Sequence, residues 1–396
     1  MRLFYGWVIV AVGIVVTCLG IGSMMSLGVF LQPIGAEMGW STAGVSAASA
    51  INFLSLGVAA FVWGWLSDRW GTRAVVLAGG AILGAGLLAA SRATALWEFQ
   101  LVFGVSIGVA AGSSYTPMIT AASRWFTTNR SLAVALVSIG LGIGSMTMAP
   151  LAGLLIQGHG WRDAMAIMGV IAWAVVLPLG LMVREPPVEP ASAGPAVGAE
   201  LSFGDALRTP QFAVIALTHF ACCAAHSGPI FHMARYAIAC GVVPLTAATV
   251  FTAAGLGGLF GRVLGGVIAD RVGVKPVLLV MLVLQAGSIA LYLTATGLAS
   301  LYALSVLFGF AYGGVMPLYA LLVRQQFGQR SMGSTFGAVT AVSTLGMALG
   351  PVVGGWIFDR FAAYTWLHLG AAIIGLGAVA IFVTFRAPQP AVLRTA

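Results

Sequence analysis

Arg262 is the one basic residue that lies well inside a long apolar run. Arginine stays protonated, and its planar fork matches a carboxylate. An ionisable side chain is costly in such surroundings, which marks Arg262 as a functional candidate. Asp270 follows eight residues later, where the run ends. At 1.5 Å per residue Arg262 is roughly 12 Å inside the run, near the middle of a lipid-spanning helix. All ten acids fall in loops or at the ends of runs, so none stands ready within a run to neutralise it. A fixed positive charge of this kind suits an anionic ligand. A structural arginine tied to main-chain carbonyls is the alternative.

The run 211–235 carries His219, His226, His232 and Arg235, interrupted by Gly228-Pro229. Proline removes a main-chain hydrogen bond and can kink a helix. Histidine changes charge near neutral pH. His232 or His226 is therefore expected to face a cavity and to bind ligand or carry a proton, with hydrogen-bonded packing as the alternative for each. Tyr115 beside Pro117 and Tyr312 near Pro317 are candidate cavity hydroxyls, and Asn52 is a further polar candidate. Cys18, Cys222, Cys223 and Cys240 have no metal-ligand spacing and read as small packing residues. No phosphate-binding loop occurs, so no cofactor and no enzymatic activity are expected.

These residues need a scaffold that holds them inside lipid. The 396-residue chain is 60% hydrophobic and 7% charged, too little charge for a soluble surface. A helical span takes about 20 apolar residues. Twelve are expected, at 5–32, 43–66, 74–91, 97–121, 131–156, 163–183, 211–235, 246–268, 276–295, 299–323, 331–356 and 363–385. The first is too long for a signal-peptide core and reads as a retained span. Residues 184–210 form a Pro-, Ala- and Gly-rich linker. In it, Ser202 and Asp205 read as a box opening a short surface helix. The expected organisation is a six-helix bundle at 1–183, the linker at 184–210, and a second six-helix bundle at 211–396.

The net charge of +8 does not signal nucleic acid, because the bases are scattered between apolar runs and form no basic face. They sort by side instead. With the N-terminus inside, thirteen bases (Arg2, Arg69, Arg73, Arg124, Arg130, Arg184, Arg208, Arg271, Lys275, Arg324, Arg330, Arg386, Arg394) face the cytoplasm. Only Arg92, Arg162, Arg235 and Arg360 face out. Both termini are thus expected in the cytoplasm of a multi-pass plasma-membrane (inner-membrane) protein.

The chain also repeats itself. Gly64-Trp-Leu-Ser-Asp68-Arg69-Trp-Gly71-Thr-Arg73 closes the second span, and Gly266-Val-Ile-Ala-Asp270-Arg271-Val-Gly273-Val-Lys275 closes the eighth, at an offset of 202. Gly39 and Gly241 keep that offset, Pro117 and Pro317 stand 200 apart, as do Arg130 and Arg330, and Pro150 and Pro351 stand 201 apart. An internal repeat in a membrane chain points to a transporter with its site at the repeat interface.

The repeated loop resembles the signature of the major facilitator superfamily, over essentially the whole chain. Three stretches resemble its monocarboxylate porter and oxalate/formate exchanger branch. They are Gly28-Val-Phe to Gly39-Trp40-Ser41, Arg124-Trp125-Phe126 to Arg130-Ser131, and Gly160-Trp161-Arg162. Arg262-x-x-x-Gly266-x-x-x-Asp270 and the stretch Phe231-His232 to Tyr236 are similar to that branch too. The resemblance implies an all-α membrane fold of two pseudo-symmetric bundles, with spans 1, 4, 7 and 10 around the cavity and Arg262 binding the substrate carboxylate. It implies that Asp68 caps span 11 and Asp270 caps span 5, with Arg69, Gly71, Arg73, Arg271, Lys275 and Arg130 completing a gate.

The sequence departs from the branch in three places. Gly258 stands where animal monocarboxylate porters carry an acid, the first span has no interior lysine, and span 11 lacks the second base of the oxalate/formate exchangers. One positive charge favours a monoanion over a dianion, and proton coupling lacks its usual carrier. The glycines from Gly346 to Gly355 resemble a drug-antiporter motif found elsewhere on span 5, and read here as tight packing. The expected function is alternating-access transport of a small organic monocarboxylate, by proton symport or anion exchange. An exporter of hydrophobic or cationic compounds and a non-transporting receptor are the alternatives.

Overall fold

The computed structural model describes residues 4–186, 201–295 and 297–385. Arg2, Arg386, Arg394 and linker residues 187–200 lie outside them. The regular structure of the described residues is helical throughout.

Among the described residues, eleven helical runs are long and apolar enough to cross a membrane, and a kink in one of them makes twelve. They begin with α1 (Gly6–Met38), α2 (Thr42–Trp70), α3 (Thr72–Ser91) and α4 (Leu96–Trp125). One hydrogen-bonded run, Arg130–Leu181, is 52 residues long, which as a straight rod would be about 78 Å against a hydrocarbon core of about 30 Å. Gly160, at φ 79° and ψ 168°, breaks it into α5 (130–159) and α6 (161–181). Then follow α7 (Pro210–Ala239), α8 (Pro244–Val272), α9 (Val274–Leu291), α10 (Leu298–Phe327), α11 (Met332–Phe361) and α12 (Thr365–Val383).

The first helix outruns the span expected at 5–32. Its hydrogen bonding is interrupted at Ser26 and it continues as Leu27–Met38, where Phe30 and Ile34 stay buried while Gln32 and Glu37 reach the surface. At this end of the molecule Arg162 makes a clasp. It pairs with Glu37 at 3.2 Å and donates to the Ser91 and Ala93 carbonyls at 2.8 and 3.0 Å.

Lipid supplies no hydrophobic drive between helices, so small residues bring main chains together. Gly64 of α2 lies directly against the Gly333 carbonyl of α11, and Gly337 lies against Ala60. A methyl group at either position would have to displace main chain rather than a flexible side chain. Gly266 of α8 meets Ser131 and Ala135 of α5 in the same way. Gly346, Gly350 and Gly354 of α11 receive Phe220, Ser227 and His232 of α7.

The repeat is visible in the backbone. Gly71 (φ 84°, ψ 158°) and Gly273 (φ 92°, ψ 158°) adopt the same left-handed conformation between α2 and α3 and between α8 and α9. A side chain is strained there, which is why both copies of the loop carry glycine. Before α7, Ser202 Oγ accepts from the Asp205 amide at 3.3 Å and opens the short helix Phe203–Leu207. That segment is bound to α10 and α11: the Leu201 amide donates to the Phe327 carbonyl at 3.2 Å, and Ser331 Oγ donates to the Leu201 carbonyl at 2.9 Å. Phe203 packs on Phe61 of α2, with ring centroids 5.4 Å apart.

Candidate functional site

Arg262 is 2% exposed. Gly258, one turn earlier on α8, leaves room for its tip: a Cβ there would stand 3.1 Å from Nη1. Gly142 of α5 approaches it from the opposite bundle: a Cβ there would stand 3.6 Å from Nη1 and 2.9 Å from Leu259 Cδ2. The guanidinium lies over the Tyr312 ring of α10, with Cζ 5.6 Å from its centroid. It is within electrostatic reach of the Tyr312 and Tyr115 hydroxyls. No carboxylate among the described residues comes within 4.0 Å of it, and Nε has no hydrogen-bond partner. Tyr115 Oη of α4 is likewise buried without a partner. Buried polar atoms are normally satisfied. Two open ones, beside a guanidinium with no carboxylate partner among the described residues, leave this buried cluster short of the bonds an anion or water would supply.

His226 of α7 also packs on Tyr312, with ring centroids 4.7 Å apart. It is 0% exposed and its Nε2 has no partner. Its Nδ1 is 3.9 Å from Cys222 Sγ. Cys222 in turn donates to Gln285 Oε1 of α9 at 3.5 Å, and Gln285 Nε2 donates to the Cys222 carbonyl at 3.2 Å. Nearer the start of α7, His219 stacks on Tyr319 at 4.0 Å.

The structure brings Arg262, Tyr312, Tyr115 and His226 together. It does not bring His232 to them. Both ring nitrogens of His232 are engaged, Nδ1 with Tyr364 Oη and Nε2 with the Pro351 carbonyl, each at 3.2 Å. Asn52 is buried on α2, with its main chain against Gly108 of α4 and both amide atoms unpartnered.

The loop-motif end forms a second assembly. Asp68 accepts from the amides of Gly333 and Ser334 at 3.0 and 2.7 Å, and from Ser334 Oγ at 2.7 Å. Asp270 accepts from the amides of Ser131 and Leu132 at 2.9 and 3.0 Å. Each acid therefore caps a helix of the other half, where unpaired N–H groups and the helix dipole favour negative charge. Arg124 pairs with Asp68 at 2.7 Å and with Glu185 at 3.5 Å, and Glu185 also accepts from the Thr72 amide at 2.8 Å. Arg73 donates to the Leu181 carbonyl at the end of α6, and Lys275 donates to the Phe385 carbonyl after α12 at 2.7 Å. Arg130 donates to the Phe126 carbonyl at 2.8 Å, Arg69 lies over the Trp65 ring, and Arg271 is exposed.

Sequence reasoning missed Glu185, Cys222 and Gln285. Gln285 had left a signal, being the one side-chain amide in the run 276–295. Glu185 had left little, since nothing in the spacing ties an acid after α6 to the start of α3.

A Major Facilitator Superfamily model matches residues 12–351 and, in a second match, residues 215–395. The chain belongs to the Major Facilitator Superfamily. It is 29% identical to monocarboxylate transporter 13 of Bos taurus, over 97% of this chain and 91% of that protein. It is 28% identical to monocarboxylate transporter 11 of Homo sapiens, over 91% and 79% respectively. YhjX of Escherichia coli, an uncharacterized MFS-type transporter, is 23% identical over 86% of this chain and 85% of that protein. The E. coli fucose:proton symporter FucP superimposes with a TM-score of 0.73 over 97% of this chain and 100% of that one. At 16% identity that likeness is one of fold. As a Major Facilitator Superfamily protein the chain is a multi-pass membrane transporter, not an enzyme, and its two bundles are the two pseudo-symmetric halves of that fold.

Proposed function

We propose that this Major Facilitator Superfamily protein carries a small organic monocarboxylate across the plasma membrane, with Arg262 binding the carboxylate. The observation that carries the reading is the guanidinium of Arg262: buried, without an acidic partner, and flanked by two tyrosines. A planar carboxylate would take two parallel N–H bonds from it and satisfy Nε, while Tyr115 Oη donates to the same ligand. One fixed charge against one carboxylate leaves the loaded site neutral, which lowers the cost of moving it through the membrane. The names of the mammalian relatives, monocarboxylate transporters 13 and 11, support this substrate class.

The loop-motif end is the cytoplasmic end, given the excess of arginine there. Asp68 and Asp270 hold that end closed between the halves, and releasing both caps lets the site open to the cytoplasm. The chain divides at residues 184–210 into the two halves that rock about the site. The proposal is tested by uptake of labelled acetate, propionate, pyruvate, lactate and benzoate into proteoliposomes. Saturable uptake of at least one is expected, and uptake undiminished in Arg262→Gln would refute the assignment.

A further inference from the structure

A chain with no acid inside its spans needs another group if a proton is to travel with the anion. The α7–α9–α10 contact supplies one, and the inference rests on the reading of Arg262 above. The Cys222 thiol donates to Gln285 Oε1, so the sulfur is left to accept from His226 Nδ1–H. This assigns the neutral tautomer of His226: Nδ1 carries the hydrogen and Nε2 presents a lone pair. That lone pair is fully buried and meets no donor. The Tyr312 ring contacts both groups, its centroid 4.7 Å from that of His226 and 5.6 Å from Arg262 Cζ. The titratable and charged groups around His226 are Cys222, Cys223 and His219 of α7, Tyr312 and Tyr319 of α10, Arg262 of α8 and Tyr115 of α4. None is a carboxylate.

We propose that His226 Nε2 is the proton-binding site of this transporter, and that its proton enters and leaves together with the anion on Arg262. With no anion on Arg262, a second positive charge in the same buried cluster is repelled. With a carboxylate on Arg262 the pocket is neutral and an imidazolium on His226 is tolerated. Binding of each therefore favours the other by the same factor. The proton adds to the Nε2 lone pair with no other bond made or broken. It returns to water when the anion leaves. His219, stacked on Tyr319 closer to the loop-motif end and within electrostatic reach of His226, is the next titratable group on α7 in that direction. The result is symport without a membrane carboxylate.

The test uses the full chain in proteoliposomes and whichever acid of the five-member panel is most active. In the unaltered protein, apparent anion affinity should rise as pH falls, with a slope approaching tenfold per unit between the pH at which loaded His226 titrates and that at which empty His226 does, as one-proton linkage requires. In His226→Gln, accumulation driven by a pH gradient should fall at least tenfold further than anion exchange does. Gln285→Leu keeps His226 but frees Cys222, and should displace the pH profile of uptake; this variant serves if His226→Gln does not fold. Proton-driven accumulation surviving in His226→Gln, or pH-independent uptake by the unaltered protein, would overturn the inference while leaving Arg262 untouched. Absence of flux for every acid would overturn the carboxylate reading and this inference with it.

Discussion

Asp68 Oδ2 lies 2.7 Å from the Ser334 amide and 2.7 Å from Ser334 Oγ, so an acid ending α2 closes the first turn of a helix 266 residues further along the chain. Asp270 stands in the same relation to Ser131 and Leu132. Two reciprocal caps join the halves at one end, and the remaining contacts can be tested against them.

Removing the charge of Asp68 should open that end. Asp68→Asn keeps the shape but weakens the three charge-assisted bonds from Gly333 and Ser334 and leaves Arg124 with Glu185 as its one anionic partner. The cost is about 1–3 kcal/mol, enough to shift a closed population by roughly 5- to 150-fold. The check is thiol labelling of Thr340→Cys from the loop-motif side, with the four native cysteines replaced by serine. Labelling should accelerate several-fold in Asp68→Asn, and equal rates would contradict a latch.

Gly64→Ala should act at the same place through sterics alone. The new methyl meets the Gly333 carbonyl, which is main chain and cannot rotate away. Overpacking of this kind costs about 1–3 kcal/mol. The closed contact between α2 and α11 should be lost, and spin labels at the loop-motif ends of these helices should report a longer mean distance than in the unaltered protein.

At the central site the shape of the cation matters as well as its charge. Arg262→Lys retains the charge but not the fork, so anion affinity should drop about tenfold, and Arg262→Gln should lose about 100-fold or more. Direct binding to purified protein, read as ligand-induced thermal stabilisation, separates the two. Equal behaviour of Lys and Arg would argue against a bidentate carboxylate.

His232 should behave as a structural residue. Its bonds to Tyr364 and to the Pro351 carbonyl tie α7 to α11 and α12. His232→Ala forfeits both, at about 1–3 kcal/mol, and should lower the melting temperature by several degrees with anion affinity changed less than threefold. A large loss of affinity in a protein of unchanged melting temperature would place His232 in the site after all.

Much of this molecule is legible from composition and spacing. The spans read out because lipid tolerates only helices whose side chains are apolar over about 20 residues. The pair of loop motifs read out because positive φ at Gly71 and Gly273 demands glycine, and helix capping demands a carboxylate at Asp68 and Asp270. Arg262 is conspicuous because nothing else like it occurs inside a run. The histidines were harder. His226 and His232 sit six residues apart on one helix, equally apolar in surroundings and identical in type. One ends with a free nitrogen beside Tyr312, the other with both nitrogens occupied. No local rule distinguishes them.

The sequence by itself determined that this chain crosses a membrane twelve times in two related halves, with one buried cation and no acid to match it. Those properties are set by solvation and backbone geometry, which act residue by residue along the chain. Only the tertiary structure decided which side chains share a pocket with that cation. Tyr312, Tyr115, His226, Gln285 and Cys222 arrive from four helices, and their meeting depends on how each helix is rotated and how closely glycines let it approach. Those rotations come from side chains interlocking across long separations in sequence, so they exist only once all the helices are packed.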